Sequence, residues 1–183
     1  MKIINLDIFL AKEVDIQGDL LYLPIKNESL ETIACQGVLE HVIDPHKAVK
    51  EIYKVLKFGG RVFVELPFMQ TVHAAPKDFY RWTPEGLRKL MCAFDVNKVD
   101  FAAGPASALA WQFQETMAML FSLKSEFLYK VGLRAFGLLA VPLSWLDILL
   151  EKKSMAWHAA SGFALVAVKD TRIDGRDKHV ERC

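Results

Sequence analysis

The strongest constraint on the fold of this chain is a strand–helix–strand pattern in its first half. Two short β-rich runs, Thr32 to Cys35 and Arg61 to Leu66, enclose a segment that opens with Asp44-Pro45. An acidic N-cap followed by proline at the first helical position starts a helix, and the next apolar residues repeat at helical spacing, at Ala48, Ile52, Val55 and Leu56. We expect this helix to end at Gly59-Gly60, where glycine can adopt a left-handed C-cap. A crossover helix between two buried strands is a parallel βαβ unit and indicates the α/β class.

Further elements extend this pattern along the chain. Additional strands are predicted at Ile3 to Leu6, Val14 to Gln17, Phe94 to Phe101 and Phe163 to Val168. Thr83-Pro84 starts a helix that runs to about Met91. We therefore predict a single domain over 1–169, a mostly parallel sheet, an apolar helical insertion at 106–153 before the last strand, and a charged flexible tail at 170–183.

Composition narrows the function classes. The formal net charge of the 183 residues is only +1, so no strong field exists to attract nucleic acid, and we expect no nucleic-acid partner. No two of the three cysteines have the C-x-x-C spacing, which favours free thiols in a reducing compartment. An acid at Asp7 interrupts the N-terminal apolar run too early for a signal peptide. A cytoplasmic location is the resulting expectation.

Polar residues follow the predicted parallel strands, where open α/β sheets bind their ligands. Asp7 follows the first strand, Asp19 the second and Gln36-Gly37 the third. Acids at two neighbouring strand ends can accept hydrogen bonds from the ribose hydroxyls and the exocyclic amine of a nucleoside. After the fourth strand come residues suited to line an acceptor site: Phe68, His73, Asp78, Tyr80, Arg81 and Trp82.

Four ordered motifs resemble the class I S-adenosylmethionine-dependent methyltransferases, specifically the type 11 family. They are Gly18-Asp19-Leu20-Leu21-Tyr22-Leu23-Pro24, Asn27-Glu28-Ser29-Leu30-Glu31, Gly37-Val38-Leu39-Glu40-His41-Val42 with Asp44-Pro45, and Leu56-Lys57-Phe58-Gly59-Gly60. The resemblance covers about residues 3 to 92, and the segment His73 to Pro84 looks like a subgroup signature found beside cell-surface glycan biosynthesis. It implies a Rossmann-like sheet and S-adenosylmethionine as cofactor.

The resemblance also implies roles for individual residues. Asp7 would bind the ribose hydroxyls, Asp19 and the Leu20 backbone the adenine, and Gln36 and Gly37 the methionine end. His41 would lie near the transfer site, and the segment from Pro67 to Arg81 would face the acceptor.

One departure from the family concerns its glycine-rich loop. No G-x-G occurs in the chain, and only six residues precede Asp7, where the family places its first βα unit. Without that unit, the strands ending at Asp7 and Cys35 should have unpaired edges or be forced together, and an unpaired edge favours self-association. Three explanations remain open: a truncated start, a degenerate protein, or a domain completed by another chain.

Several candidate residues have a structural alternative to a chemical role. His73 is the best candidate for a general base, whereas His41 could be catalytic or simply bond a neighbouring loop. Asp78 and Arg81 are better explained as an ion pair that fixes the loop, and Tyr80 and Trp82 as walls of the site. His41 and His46 lack a third ligand, so no metal site is expected.

The apolar segment 127–150 also allows two interpretations. It is either a helix pair that covers the core or a surface that contacts a membrane at its inner face, over a lipid-linked substrate. The functional hypothesis is methyl transfer to a small-molecule or glycan/lipid-linked acceptor. The alternative is a non-catalytic remnant that acts as an accessory or membrane-associated binding protein.

Overall fold

The computed structural model describes residues 3–73 and 77–170, so most of the predicted tail, 171–183, lies outside the described residues. The strands are β1 Leu6–Asp7, β2 Ile16–Gln17, β3 Leu30–Gln36, β4 Leu56–Pro67, β5 Asp95–Ala103 and β6 Gly162–Val168. The helices are α1 Pro45–Val55, α2 Pro84–Leu90, α3 Pro105–Phe121, α4 Glu126–Ser144 and α5 Asp147–Leu150. A 3₁₀ turn, Leu39–His41, follows β3.

The main sheet has four strands in the order β3-β4-β6-β5. β3 pairs parallel with β4, whereas β6 pairs antiparallel with both β4 and β5. Three strands therefore run in one direction and only β6 opposes them. The prediction of a Rossmann-like, mostly parallel α/β sheet with a helical insertion before the last strand is confirmed.

The first two strands form a separate parallel pair, with Leu6 opposite Ile16 and Asp7 opposite Gln17. Within 3–73 and 77–170, no strand bridges this pair and the main sheet, so the outer edge of β3 is unpaired. Of the two arrangements expected without a central strand, the structure adopts the one with open edges. Self-association through such an edge stays a prediction.

The predicted end of α1 at Gly59-Gly60 is wrong. The helix ends at Val55 because the residues beyond it pair with a neighbouring strand. The Ser29 amide donates to the Val55 carbonyl at 2.9 Å, and Leu56 pairs with Leu30 of β3. Gly59 and Gly60 lie inside β4 and bond the backbone of Lys169, each at 2.8 Å. Gly59 does take a positive φ of 75°, but within the strand and not as a helix cap.

The core lies between the main sheet and helices α1 and α2. Its largest fully buried apolar side chains come from the sheet, both helices and the turns beside them: Leu39, Ile52, Leu56, Leu66, Leu87, Met91 and Phe163. Each such side chain contributes about 1.5–3 kcal/mol on burial. Cys35 at the end of β3 is a buried free thiol, and burial raises its pKa to about 12, so it is chemically inert.

Helices α3 and α4 form an antiparallel hairpin between β5 and β6. The hairpin is tight where Gly132 faces Ala118, since a Cβ on Gly132 would lie 3.1 Å from the Ala118 Cα. The buried carboxylate of Asp147 accepts hydrogen bonds from the amides of Ala106 at 2.7 Å and Ser107 at 2.9 Å, and so caps α3. The base of the hairpin is therefore fixed by a polar anchor.

Candidate functional site

Two acids mark the ends of the short parallel strands β1 and β2. Asp7 is exposed, and its Oδ1 accepts a hydrogen bond from the Phe9 amide at 2.8 Å. Asp19 is half-buried, and its Oδ1 accepts from the Leu21 amide at 2.8 Å. These local turns fix the direction of both carboxylates at neighbouring strand ends. The arrangement has the chemistry to bind hydroxyl and amine donors of a nucleoside.

The turn after β3 connects the sheet to the remaining candidate residues. Gln36 Nε2 donates to Glu65 Oε2 at 2.9 Å, and the Gly37 amide donates to the Glu65 carbonyl at 3.0 Å. Gly37 has a φ of 61°, which only glycine adopts readily. A Cβ there would lie 3.6 Å from Glu40 Oε1, so the turn passes directly beside the Glu40 carboxylate.

The centre of the candidate site is a cluster of Glu40, His41 and His73. Nε2 of His41 lies 3.8 Å and Nε2 of His73 lies 3.7 Å from Oε1 of Glu40. The Glu40 side chain is only 2% exposed, whereas those of His41 and His73 are 23% and 29% exposed. Burial raises the pKa of the Glu40 carboxyl, with the two histidines and Arg81 opposing that shift. The cluster therefore combines a buried acid with two imidazoles that solvent or substrate can reach.

Asp78 and Arg81 hold the loop that carries His73. Their side chains pair bidentately, at 2.5 and 2.7 Å, and the guanidinium also donates to the Thr71 carbonyl at 2.9 Å. Asp78 Oδ2 accepts from the His73 amide at 2.8 Å. The Arg81 guanidinium holds the pKa of Asp78 far below its usual range. The interpretation of this pair as a local clamp agrees with the geometry.

The predicted aromatic wall residues have contacts in the loop and the core, and one further aromatic residue contacts the cluster. Tyr80 donates from its hydroxyl to the Ile43 carbonyl at 2.9 Å, and its ring centroid lies 5.3 Å from that of Trp82. Phe68 packs beside Phe163 in the core, with 5.6 Å between centroids. Trp111, from α3, lies 6.2 Å from His73 between ring centroids. The hairpin therefore reaches the site directly.

The structure brings together His41, His73 and Asp78, which the sequence places in two separate loops. Asp7, Asp19 and Leu20 lie at or just after β1 and β2, whereas Gln36 and Gly37 lie at the end of β3, beside Glu65 and Glu40. Two residues at the site, Glu40 of the cluster and Trp111 beside it, were not among the predicted site residues. Glu40 could have been found from its place beside His41 in Leu39-Glu40-His41, but Trp111 carries no sequence signal beyond an ordinary helical aromatic.

Comparisons with known proteins agree with this architecture. Residues 6–64 match the family described as "Methyltransferase domain". A tRNA U34 carboxymethyltransferase of Campylobacter fetus subsp. fetus (strain 82-40) is 46% identical over 48 residues, which are 26% of this chain and 17% of that protein. The match therefore spans a small part of the relative's length.

Solved structures show the fold over nearly the whole chain. One is a Bacillus halodurans C-125 protein assigned to the methyltransferases. The alignment covers 93% of this chain and 83% of that protein, with a TM-score of 0.53 and 14% identity. Another is the [4+2]-cyclase SpnF, whose alignment covers 89% of this chain and 58% of that protein, with a TM-score of 0.52 and 18% identity. At these identities the likeness concerns the fold alone. Through residues 6–64 the chain is similar to the methyltransferase-domain family, and it has the Rossmann-like fold of these solved structures.

Proposed function

We propose that this protein transfers a methyl group from S-adenosylmethionine to a hydroxyl of a lipid-linked small molecule or glycan held at a membrane surface. The observation that carries the proposal is the contact between His73 and Trp111, with 6.2 Å between ring centroids. It joins the polar cluster on the acceptor side of the sheet to an apolar hairpin with an exposed face. Acceptor chemistry and a lipid-compatible surface are thus adjacent.

The nucleoside half of the cofactor fits the residues at the β1–β2 end. Asp7 and Asp19 present carboxylates at neighbouring strand ends, held by turns to the amides of Phe9 and Leu21. Gly37, with its positive φ, leaves the space beside Glu40 free of a side chain.

The residues of this chain align the acceptor with the cofactor and remove the proton of the acceptor hydroxyl. When bound, the cofactor supplies a methyl group on a positively charged sulfur, and the electron pair of the broken carbon–sulfur bond stays with the sulfur. His73 Nε2 takes the proton of the acceptor hydroxyl as the oxygen bonds the methyl carbon. Glu40 Oε1, 3.7 Å away, balances the positive charge that His73 gains. Asp78 and Arg81 act as positioning residues, since they hold the loop on which His73 lies.

The hairpin supplies the membrane contact. The segment Glu126–Leu150 is long and apolar enough to cross a membrane, yet only 11% of its most apolar window is buried, unlike a core helix. Its charge-free run, 135–146, is shorter than the ~20 residues that a spanning helix needs. Arg134 lies at one end of that run and Lys152-Lys153 beyond the other, which suits anionic headgroups. We therefore assign the hairpin to the membrane interface, on the cytoplasmic side.

A second candidate is a non-catalytic accessory protein that binds the same membrane surface. The exposed apolar face of the hairpin favours it, because such a face can bind a membrane without any cofactor or methyl transfer. In both candidates the hairpin binds the membrane, and only in the first does the protein transfer methyl groups.

Methyl transfer into lipid distinguishes them. Purified protein is incubated with a methyl-tritiated donor and vesicles made from a bacterial membrane lipid extract, and label is counted in the organic phase. We expect incorporation that falls at least about 100-fold in His73→Ala, as for loss of a general base. His46→Ala, an exposed histidine on α1, is the matched control and should retain full incorporation. Membrane binding without any incorporation would support the accessory function.

A further inference from the structure

We propose that Glu40, His41 and His73 bind a divalent transition-metal ion, with Zn²⁺ as the best fit, and leave one coordination position open. One ligand atom from each residue can be chosen so that all three lie within 4.8 Å of one another. Two imidazoles and one carboxylate form a common three-residue set at zinc sites that keep a free position. The inference does not depend on methyl transfer, and in the metal-loaded protein it replaces the base role proposed for His73 above.

The orientation of both histidine rings supports this assignment. Nδ1 of His41 lies 2.6 Å from the Lys77 carbonyl, and Nδ1 of His73 lies 3.3 Å from the Thr71 carbonyl. A carbonyl only accepts, so each Nδ1 carries the hydrogen, and in the neutral imidazole each Nε2 then presents a lone pair. Metal-ligating histidines have this second contact, in which the distal ring nitrogen donates to a carbonyl or carboxylate.

The Glu40 carboxylate faces these two lone pairs without a proton donor between them. Its side chain is only 2% exposed, and its Oε2 has no hydrogen-bond partner among residues 3–73 and 77–170. Three acceptors that converge on one point repel one another, and a buried carboxylate oxygen without a hydrogen-bond partner is costly. A bound cation supplies the charge that this arrangement lacks.

The distances leave space for the ion. Oε1 of Glu40 lies 3.8 Å from Nε2 of His41 and 3.7 Å from Nε2 of His73, beyond hydrogen-bond range. Ligand atoms at about 2.0–2.2 Å from a tetrahedral ion are roughly 3.4 Å apart, so a small adjustment of the side chains suffices. Nitrogen ligands favour zinc and its neighbours over magnesium or calcium, which prefer oxygen.

The ion changes the task of His73. An Nε2 that ligates a metal cannot also accept a proton, so in the loaded protein His73 is a ligand and the open position is available to a water or an acceptor oxygen. From the sequence, His41 and His46 lack a third ligand and no metal site is expected. In the structure His46 is exposed on α1 and is not part of the cluster, which takes His73 as its second histidine. The third ligand comes from the loop after β4.

Metal binding to the full chain tests the proposal directly. Protein dialysed against chelator is titrated with Co²⁺, followed by visible absorption, and with Zn²⁺, followed by calorimetry. We expect one ion per chain and a tetrahedral Co²⁺ spectrum that Zn²⁺ abolishes. His73→Ala and Glu40→Gln should weaken binding by more than the about 10–100-fold that loss of an outer partner causes.

His46→Ala is the control and should bind as the wild type does. Glu40→Gln keeps the shape of the side chain, so a folded variant is available even if His73→Ala is unstable. No stoichiometric binding by the wild-type chain would overturn the proposal and leave Glu40 paired with a protonated histidine. Equal binding by wild type and Glu40→Gln would also overturn it.

Discussion

His41 and His73 meet edge to face, with 5.1 Å between ring centroids and an interplanar angle of 86°, although they belong to loops that follow different strands. Their meeting depends on the parallel pairing of β3 with β4, which brings the carboxyl ends of both strands to one edge of the sheet. The candidate site is therefore a product of topology and not of local sequence.

The Asp78–Arg81 clamp predicts a pH-dependent contribution to stability. Arg81 lowers the pKa of Asp78 below its ordinary 3.8, so the clamp stabilises the fold at neutral pH. That stability is lost as the pH falls below 3.8 toward the native-state pKa of Asp78. Asp78→Asn should lower the free energy of unfolding at pH 7 by about 1–3 kcal/mol, measured by urea denaturation, with a smaller difference at acid pH.

Asp100→Asn is the matched control for this prediction. Asp100 pairs with Lys98 in the same charge combination, but its side chain is 52% exposed. Exposed pairs contribute about 0.2–1 kcal/mol, so this variant should remain close to the wild type. Equal losses in the two variants would show that Asp78 has no special positioning role.

Glu40 predicts the opposite dependence on pH. Burial raises its pKa above the ordinary 4.5, so the native state holds a proton that the unfolded chain loses first as the pH rises. The carboxyl therefore costs stability above the raised pKa and costs nothing well below 4.5. In the presence of chelator, Glu40→Gln should be at least as stable as the wild type at pH 8, and the gain should vanish near pH 4. A thermal-melting series across pH measures this, and a large loss at pH 8 would contradict it.

The close approach of α3 and α4 predicts that a larger side chain at the contact lowers the stability of the protein. A Cβ on Gly132 would meet the Ala118 backbone at 3.1 Å, whereas one on Gly137 would meet only the end of the flexible Gln114 side chain. Gly132→Val should destabilise the protein by about 1–3 kcal/mol because the backbone of α3 must move. Gly137→Val should change the free energy of unfolding by less than about 0.5 kcal/mol. Similar effects in both variants would show that the hairpin is loosely packed.

The exposed face of α4 predicts membrane association. Leu138 and Leu139 are 75% and 68% exposed, and we expect them to enter the lipid interface. Replacing both by Asp removes about 1.5–3 kcal/mol of transfer free energy per side chain, so recovery with anionic vesicles in a flotation assay should fall at least tenfold. Ile43→Asp changes a side chain of 69% exposure outside the hairpin and should float normally. Wild-type protein that stays wholly in the soluble fraction would contradict the membrane assignment.

Much of the fold was predictable, because its signals are local. Asp44 caps α1 and Thr83 caps α2 through their side chains, as the Asp44-Pro45 and Thr83-Pro84 pairs predicted. Gly59-Gly60 was misassigned because pairing with Lys169, far along the chain, overrides the local preference of glycine for a helix end. The Glu40–His41–His73 cluster could not be predicted from the sequence for the same reason. Its members meet only once β3 and β4 have paired and Asp78 has fixed the His73 loop.

Binding of S-adenosylhomocysteine to the purified 183-residue chain tests the central claim most directly, by isothermal titration of the wild type, Asp7→Ala and Glu13→Ala. We expect a one-to-one complex that Asp7→Ala weakens at least tenfold, since a charge-assisted contact contributes about 1.5–3 kcal/mol. Glu13→Ala removes an exposed acid between β1 and β2 and should bind normally. No heat of binding from the wild type at millimolar ligand, or equal affinity in Asp7→Ala, would contradict the claim that the ends of β1 and β2 hold the cofactor.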